Sequence, residues 1–279
     1  MKKIKKLIFL LAVIAVAFVC IVIINFVKLD VSYYDIKNVK LPEDFNGYKI
    51  VQISDWHGRK PDERVINKIR EENPDIIVIT GDFVDRFFTD TKNAGKMISQ
   101  IKDIAPVYYV SGNHEAQNNN YDDFKQYLYS ENITVLDNKS VIITKGSGKI
   151  RLAGVDDPFF YEGFEHFDLS FTENDGEGDI YTILLSHRPE YIEDYSRENI
   201  DLVLSGHAHG GLIRLPWIGG LTASGQGLFP KYTEGVYHAG NTDMVVSRGL
   251  GDSIVPVRIN NNRELVIITL NKKIMLLSK

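Results

Sequence analysis

The chain has 279 residues, 44% of them hydrophobic and 25% charged, a length and composition that can bury a sizeable core in one large domain or two small ones. Its net charge of −5 is unevenly spread: the first 28 residues hold five of the 32 basic residues and no acid, which leaves 27 against 37 acidic residues, or −10, for the rest, too acidic for a general nucleic-acid binder. Cys20 is the single cysteine, which excludes an intrachain disulfide and a thiolate metal site.

At the amino terminus Lys2, Lys3, Lys5 and Lys6 precede an uncharged run from Leu7 to Val27. At the helical rise this run spans roughly 30 Å, the thickness of a hydrocarbon core. It is long for the apolar region of a cleaved signal peptide, and no small-x-small site follows it. The run therefore reads as a single-pass transmembrane helix over 1–28, with the lysines on the cytoplasmic side and the remainder of the chain outside. Residues 29–46 read as a linker and a leading strand.

Short apolar runs then alternate with amphipathic stretches. Ile50–Ser54 is a predicted strand, Pro61–Glu72 a helix with Val65, Ile66 and Ile69 on one face, and Asp75–Thr80 a buried strand. Lys92–Ile104 and Tyr121–Ser130 are predicted helices flanking a strand at Val107–Ser111. This alternation implies a mainly parallel first sheet. Gly146, Ser147 and Gly148 then separate two strands, Val141–Lys145 and Lys149–Gly154, as a hairpin turn. Ile180–Ser186 and Leu202–Ser205 are further strands, and Met244–Leu270 reads as the last ones. Glu162–Asp179 is an acid-rich loop whose spacing fails the EF-hand pattern. Gly210 to Gly227, with Trp217 near its middle and Phe229 past its end, reads as a mobile loop bordering whatever site the strands form.

Five phrases follow five of the apolar runs: Asp55-Trp56-His57, Gly81-Asp82, Gly112-Asn113-His114, Ser186-His187 and Gly206-His207-Ala208-His209. In α/β sheets, sites form outside the carboxyl ends of strands. The glycines at 81, 112 and 206 permit sharp turns there. Each phrase alone is weak, since an isolated Asp-x-His is more often a surface loop. Together they offer carboxylates, an amide oxygen and imidazoles, the donor set of a hard or borderline metal ion. Asp82 is placed to bridge two ions, and His114 can stay free of metal and face a substrate. Arg188 and Arg248 can hold phosphate oxygens as a fork, or serve as ordinary ion pairs. His166 and His238 stand in no motif and read as ordinary residues.

Asp55-x-His57, Gly81-Asp82-x-x-Asp85, Gly112-Asn113-His114-Glu115, His187 and Gly206-His207-x-His209 resemble the signature of the calcineurin-like metallophosphoesterases, over about residues 47 to 270. The stretches LLSHRPE, LVLSGHAHGG and VSRGLG are similar to a bacterial membrane-associated branch of that family. The resemblance implies an α/β fold, a four-layer αββα sandwich of two mixed sheets, here preceded by one N-terminal transmembrane helix, with a catalytic domain over 47–279. It implies that Asp55, His57, Asp82 and His209 bind one ion, that Asp82, Asn113, His187 and His207 bind a second, and that His114 is the substrate-facing acid. Glu115 stands where many members have Asp, and Trp56 where Leu is frequent.

The expected function is a membrane-anchored, extracytoplasmic phosphoesterase, a phosphodiesterase before the other ester classes, hydrolysing a P–O bond with two divalent ions and activated water. The donor set admits Mn²⁺, Fe, Zn²⁺ or Co²⁺, and the absence of thiolate favours Mn²⁺. The expected partners are a phosphorylated substrate, lipid or cell-envelope linked, and the membrane itself. The alternatives are a lipid-linked pyrophosphate hydrolase of the same fold and a non-catalytic scaffold.

Overall fold

The computed structural model describes residues 3–13, 27–87, 90–161, 169, 178–251 and 257–274. Residues 3–13 are helical (α1) and exposed throughout. No helix among the described residues is long and apolar enough to cross a membrane. This corrects the expectation of a single-pass protein lodged in the cell membrane with its catalytic domain outside. The helix seen over 3–13 is too short for a span, and 14–26, the rest of the apolar run, lie outside the described residues.

Two mixed sheets make the body. In the first, β1 (Leu29–Asn38), β16 (Arg263–Lys272), β2 (Tyr48–Ile53), β3 (Ile76–Thr80), β4 (Val107–Val110) and β5 (Thr134–Val135) lie side by side in that order. β2 to β5 are parallel, as the alternation implied, and β16 enters antiparallel to β2. The expected linker is mostly β1, which pairs along its whole length with β16. In the second sheet the order is β14 (Gly235–Ala239), β15 (Thr242–Val246), β9 (Leu202–Ser205), β8 (Thr182–Leu185), β7 (Gly148–Gly154) and β6 (Lys139–Lys145). Its centre, β15 to β7, is parallel, and the predicted β6–β7 hairpin closes one edge.

The sheets face each other through Ile50, Val78 and Val110 on one side and Leu152, Ile183, Leu204 and Val245 on the other. Strands buried on both faces read as near-continuous apolar runs, which is why β3 reads IIVIT and β8 TILL, each with one buried threonine at an end. Burial of each such Ile or Leu contributes about 1.5–3 kcal/mol. On the outer face of the first sheet, Val51, Ile53, Ile77 and Ile79 pack against Val65, Ile66 and Ile69 of α2 (Glu63–Glu72), Met97 and Ile98 of α3 (Lys92–Ile101) and Phe124 of α5 (Tyr121–Ser130). α2 starts later than Pro61 because Asp62 caps it, its side chain accepting from Arg64 N–H.

The fourth layer is thinner than the resemblance implied. Among the described residues, the outer face of the second sheet is covered by Ile192 and Tyr195 of the one-turn helix α6 (Ile192–Tyr195), with Ala223 from the glycine-rich stretch and Tyr232 beyond it. That stretch, expected as a loop, folds into two short ribbons, β10 (Arg214–Leu215) with β11 (Gly219–Gly220), and β12 (Thr222–Ala223) with β13 (Gly227–Leu228).

Candidate metal centre

The carboxyl ends of β2, β3, β4, β8 and β9 open onto one edge of the sandwich, and each carries one of the five phrases. Beyond β2 and β3 the two connecting loops continue to bond each other: Asp55 N–H donates to Gly81 O (3.0 Å), His57 N–H to Asp82 O (2.9 Å) and Gly58 N–H to Phe83 O (2.9 Å). In this zipped arrangement Asp55, His57 and Asp82 take φ near +50°, and His207 and His209 take φ of 67° and 46°. Left-handed backbone costs an ordinary residue about 1–2 kcal/mol, so five such residues converging at one edge is strain concentrated at a site.

The expected ligand atoms come together in two groups that share Asp82. Asp55, His57, Asp82 and His209 form one, and Asp82, His187 and His207 the other, all buried and each with its donor atoms within 4.8 Å of one another. In the first, His209 Nε2 is 3.2 Å from His57 Nε2 and 3.3 Å from Asp55 Oδ1, and His57 Nε2 is 3.9 Å from Asp82 Oδ2. In the second, His187 Nε2 is 3.2 Å from Asp82 Oδ2 and 3.2 Å from His207 Nδ1. Asn113, at the start of α4 (Asn113–Ala116), has a buried Oδ1 with no hydrogen-bond partner. A buried acceptor left without a donor costs about 1–3 kcal/mol unless a cation takes it up. Mixed carboxylate, amide and imidazole donors around that orphan fit divalent ions.

Outer contacts fix these rings and carboxylates. His187 Nδ1 lies 2.8 Å from Thr80 O and must donate to it, which leaves Nε2 free for a cation. Asp55 accepts from Ser54 Oγ (2.6 Å) and His207 N–H (3.1 Å), and Asp82 Oδ1 from His114 N–H (2.8 Å). Burial works to raise Asp82, but His187 and His114 outweigh it and hold the carboxyl well below its usual range. Burial alone would depress His187, yet Asp82 lifts it to about 10. His207 and His209 sit well below the imidazole range, through burial and then the positive charges of Arg188 and His187 for one and of His57 and Arg258 for the other. Asp82 is thus anionic and two imidazoles are neutral, the forms that ligate, while His187 must release a proton as a cation arrives.

Asp82, Asn113, His114, His207 and His209 floor a cavity of about 270 Å³. A larger cleft of about 590 Å³, between Val27, Arg59, Arg64 and Arg263, lies apart from these groups. His114 Nδ1 accepts from Arg86 N–H (3.2 Å), so a neutral ring carries its proton on Nε2, 3.9 Å from Asp82 Oδ2. Asp85 Oδ2 lies between His57 and His114, 3.5 and 3.4 Å from their Nδ1 atoms. Burial opposes the His114 proton, but Asp82 and Asp85 raise its pKa above the usual value.

Arg188 lines this cavity, but its fork is already taken. Nε and Nη2 hold Asp157 at 2.7 and 3.0 Å, and Nη1 turns toward His207 Nε2 (3.2 Å) and Glu190 Oε1 (3.4 Å). Of the three guanidinium nitrogens, only Nη1 is not held by Asp157. Arg248 is not brought to the cavity. It is enclosed by Asp30 (3.2 Å), Glu234 (3.1 Å) and Glu264 (3.2 Å), and three acids at that range leave no reason for the guanidinium to leave. His238 pairs with Asp243 at the surface, and His166 lies outside the described residues.

Two residues carry more of the site than the sequence reading assigned them. Arg86 lines the cavity, holds Gln117 Oε1 at 2.7 Å and has a buried Nε with no partner. Its signal was its place directly after Asp85. Glu115 accepts from the N–H groups of Asp82, Phe83, Val84 and Gly112 and from the Tyr109 hydroxyl, at 2.7–3.0 Å. The longer Glu in place of the frequent Asp reaches all five donors.

The sequence model of the calcineurin-like phosphoesterases matches residues 48–211, the stretch that carries every candidate ligand. An uncharacterized metallophosphoesterase of Bacillus subtilis, YkuE, is 32% identical over 254 residues, covering 87% of this chain and 85% of its own. A transmembrane protein with a metallophosphoesterase domain from Danio rerio is 31% identical over 248 residues, or 84% of this chain, which spans only 55% of that protein. Among solved structures, a sulfate thiohydrolase, SoxB, from Thermus thermophilus superposes with a TM-score of 0.53 at 14% identity, over 83% of this chain and 57% of that one. That likeness speaks for the fold alone.

Proposed function

The chain belongs to the calcineurin-like phosphoesterase family and is a metal-dependent phosphoesterase, and from that premise we propose that it hydrolyses a phosphodiester with two divalent ions, Mn²⁺ before Zn²⁺, Fe or Co²⁺. Asp55, His57, Asp82 and His209 would hold one ion, and Asp82, Asn113, His187 and His207 the other. Bound there, the ions supply Lewis acidity toward water and phosphate oxygens. The observation that carries this reading is the pair of buried donor groups sharing Asp82, with Asn113, whose Oδ1 is unpartnered, lining the same cavity.

The protein's own groups have separable tasks. Arg86 and Arg188 Nη1 border the cavity and orient the phosphate oxygens as charge builds on them. Protonated His114, the form that Asp82 and Asp85 favour, gives its Nε2 proton to the leaving oxygen and returns to the neutral ring. Glu190 and Phe159 help hold Arg188, the latter ring 4.8 Å from its guanidinium carbon. A non-catalytic scaffold is the weaker reading, since every expected donor and His114 are present and converge.

The test is metal content together with turnover. The purified chain should bind close to two divalent ions and hydrolyse an aryl phosphodiester. Asp82→Asn should weaken both sites and abolish turnover. Full metal content and full activity in that variant would defeat the assignment of Asp82 as the shared ligand.

A further inference from the structure

The cavity is lined mainly by polar groups, but the ribbons that close one side of it carry large apolar side chains. From Leu202 to Thr233 the chain has no acidic residue, although it holds 37 overall. This stretch contains the two ribbons, and they are fastened to the turn that bears His209. Leu221 N–H donates to Gly211 O (3.1 Å) and Ile213 O (2.8 Å), and Phe229 N–H donates to Leu221 O (2.9 Å). Gly211 and Gly220 meet so closely that a Cβ on Gly211 would lie 2.4 Å from Gly220 Cα. The turn of the second ribbon, Ser224 and Gly225, forms part of the cavity wall.

Away from that turn the ribbons present large apolar side chains to water. Trp217 is exposed to 103%, Leu228 to 71%, and Ile218 and Phe229 to 62% each. Trp217 and Phe229 take φ of 65° and 54°, rare for bulky residues. The chain thus holds these two rings outward at a conformational cost. Elsewhere at the mouth, Phe159 forms cavity wall, and Phe87, the neighbour of Arg86, is exposed. Single exposed apolar residues need no explanation, whereas four on two ribbons bonded to each other do.

We infer that the substrate is an amphiphilic phosphate ester presented at a lipid surface, with Trp217 and Ile218 at the tip of the first ribbon and Leu228 and Phe229 at the open end of the second entering the acyl layer and the phosphate reaching the cavity beside them. This rests on the phosphoesterase reading above. An indole at the tip suits the boundary between headgroup and acyl chain. Lys231, exposed just beyond Phe229 and Pro230, matches anionic headgroups, and no acid in the stretch opposes them. Other faces of a chain with net charge −5 are less suited to such a surface.

The test follows the tryptophan emission of the full chain as vesicles of phosphatidylcholine and phosphatidylglycerol in equal parts are added. Trp56 is fully buried and Trp217 fully exposed, so a change reports the ribbon tip and is blind to the apolar amino terminus. The emission should shift to the blue and be quenched by brominated acyl chains. In the double variant Leu228→Ser, Phe229→Ser the response should be lost. That variant should keep wild-type turnover of a soluble aryl phosphodiester. It should lose roughly tenfold or more on a hexadecyl aryl phosphodiester carried in the vesicles, since surface capture raises effective concentration. Unchanged Trp217 emission, or equal loss on both substrates, would overturn the inference. So would a blue shift that grows with protein concentration without lipid, which would make the patch a contact between copies. An intact vesicle response with no turnover of either ester would instead remove the phosphoesterase reading.

Discussion

Replacing Glu115 by Gln isolates how Asp82, the carboxylate shared by the two donor groups, is positioned. Glu115 Oε2 accepts from Asp82 N–H and Gly112 N–H, both at 2.8 Å, and Oε1 accepts from Phe83 N–H (2.7 Å), Val84 N–H (3.0 Å) and Tyr109 Oη (2.9 Å). An amide keeps the volume but turns one of these oxygens into a donor. Whichever way it faces, at least two buried donors lose their acceptor, at about 1–3 kcal/mol each. The expected loss is thus about 2–6 kcal/mol, a fall in Tm of roughly 5–15 °C for a domain of this size. The damage falls on the loop that carries Asp82, so metal content should fall with stability. Glu115→Asp keeps the charge but is one methylene short, and should lie between the two. Thermal unfolding by circular dichroism and metal content by mass spectrometry measure both effects. A Glu115→Gln protein that melts with the wild type and keeps its metal would refute the positioning argument.

Three further outcomes follow from the same geometry. His114→Ala should keep its metal and lose roughly 10²–10⁴-fold in turnover, the usual worth of general acid catalysis; loss of metal would make His114 a ligand instead. Gly206→Ala places a Cβ 1.9 Å from Ser54 Oγ and 2.4 Å from Asp55 Oδ2, so Asp55 must shift and calorimetric titration should find one ion bound far more weakly; two unaltered sites would show that the loop yields elsewhere. Asp156 is raised from 3.8 to about 7 by burial and then by Asp137, and a raised folded pKa contributes stability that is complete below the unfolded value and lost as pH climbs through 7. Asp156→Asn should therefore flatten a decline on the order of 2–4 kcal/mol between about pH 4 and 8, read from urea unfolding at a series of pH values, and an unchanged decline would place its origin in other groups.

The ligand set was legible because it is written where the period of the sequence changes. Runs such as IIVIT and LVLS are apolar up to their last residue since both faces of their strands are buried, and polar residues gather where the strand leaves the core. Five such exits with Asp, Asn or His therefore locate one edge of one sandwich. The distinction between Arg188 and Arg248 was not legible. Both follow strands and both stand beside glycine or histidine, but what decides their use is which acids the fold brings near. Asp30 and Glu264 reach Arg248 only because β1 and β16 pair, a contact between the two ends of the chain that no local pattern encodes. Arg86 is hidden for the converse reason, since it stands beside a motif rather than within it.

The glycines show how a correct residue can be given the wrong reason. Sharp turning explains Gly81, with φ of 87°, but Gly112 is extended and Gly206 has no positive φ. At both, the need is for close approach: a Cβ on Gly112 would lie 2.4 Å from Asp82 Oδ1, as one on Gly206 would press on Asp55. The turning is done by the candidate ligands themselves, Asp55, His57, Asp82, His207 and His209, all left-handed. Asp tolerates that conformation comparatively well, and His is several-fold enriched there, which sequence spacing alone does not reveal. The sandwich tolerates the strain because the loops after β2 and β3 bond to each other and Leu250 N–H closes on Ser54 O at 3.0 Å. A site built this way is held by its frame before any cation arrives, and so the backbone around Glu115 and Gly206, more than the ligands alone, should decide whether the bare protein keeps its geometry.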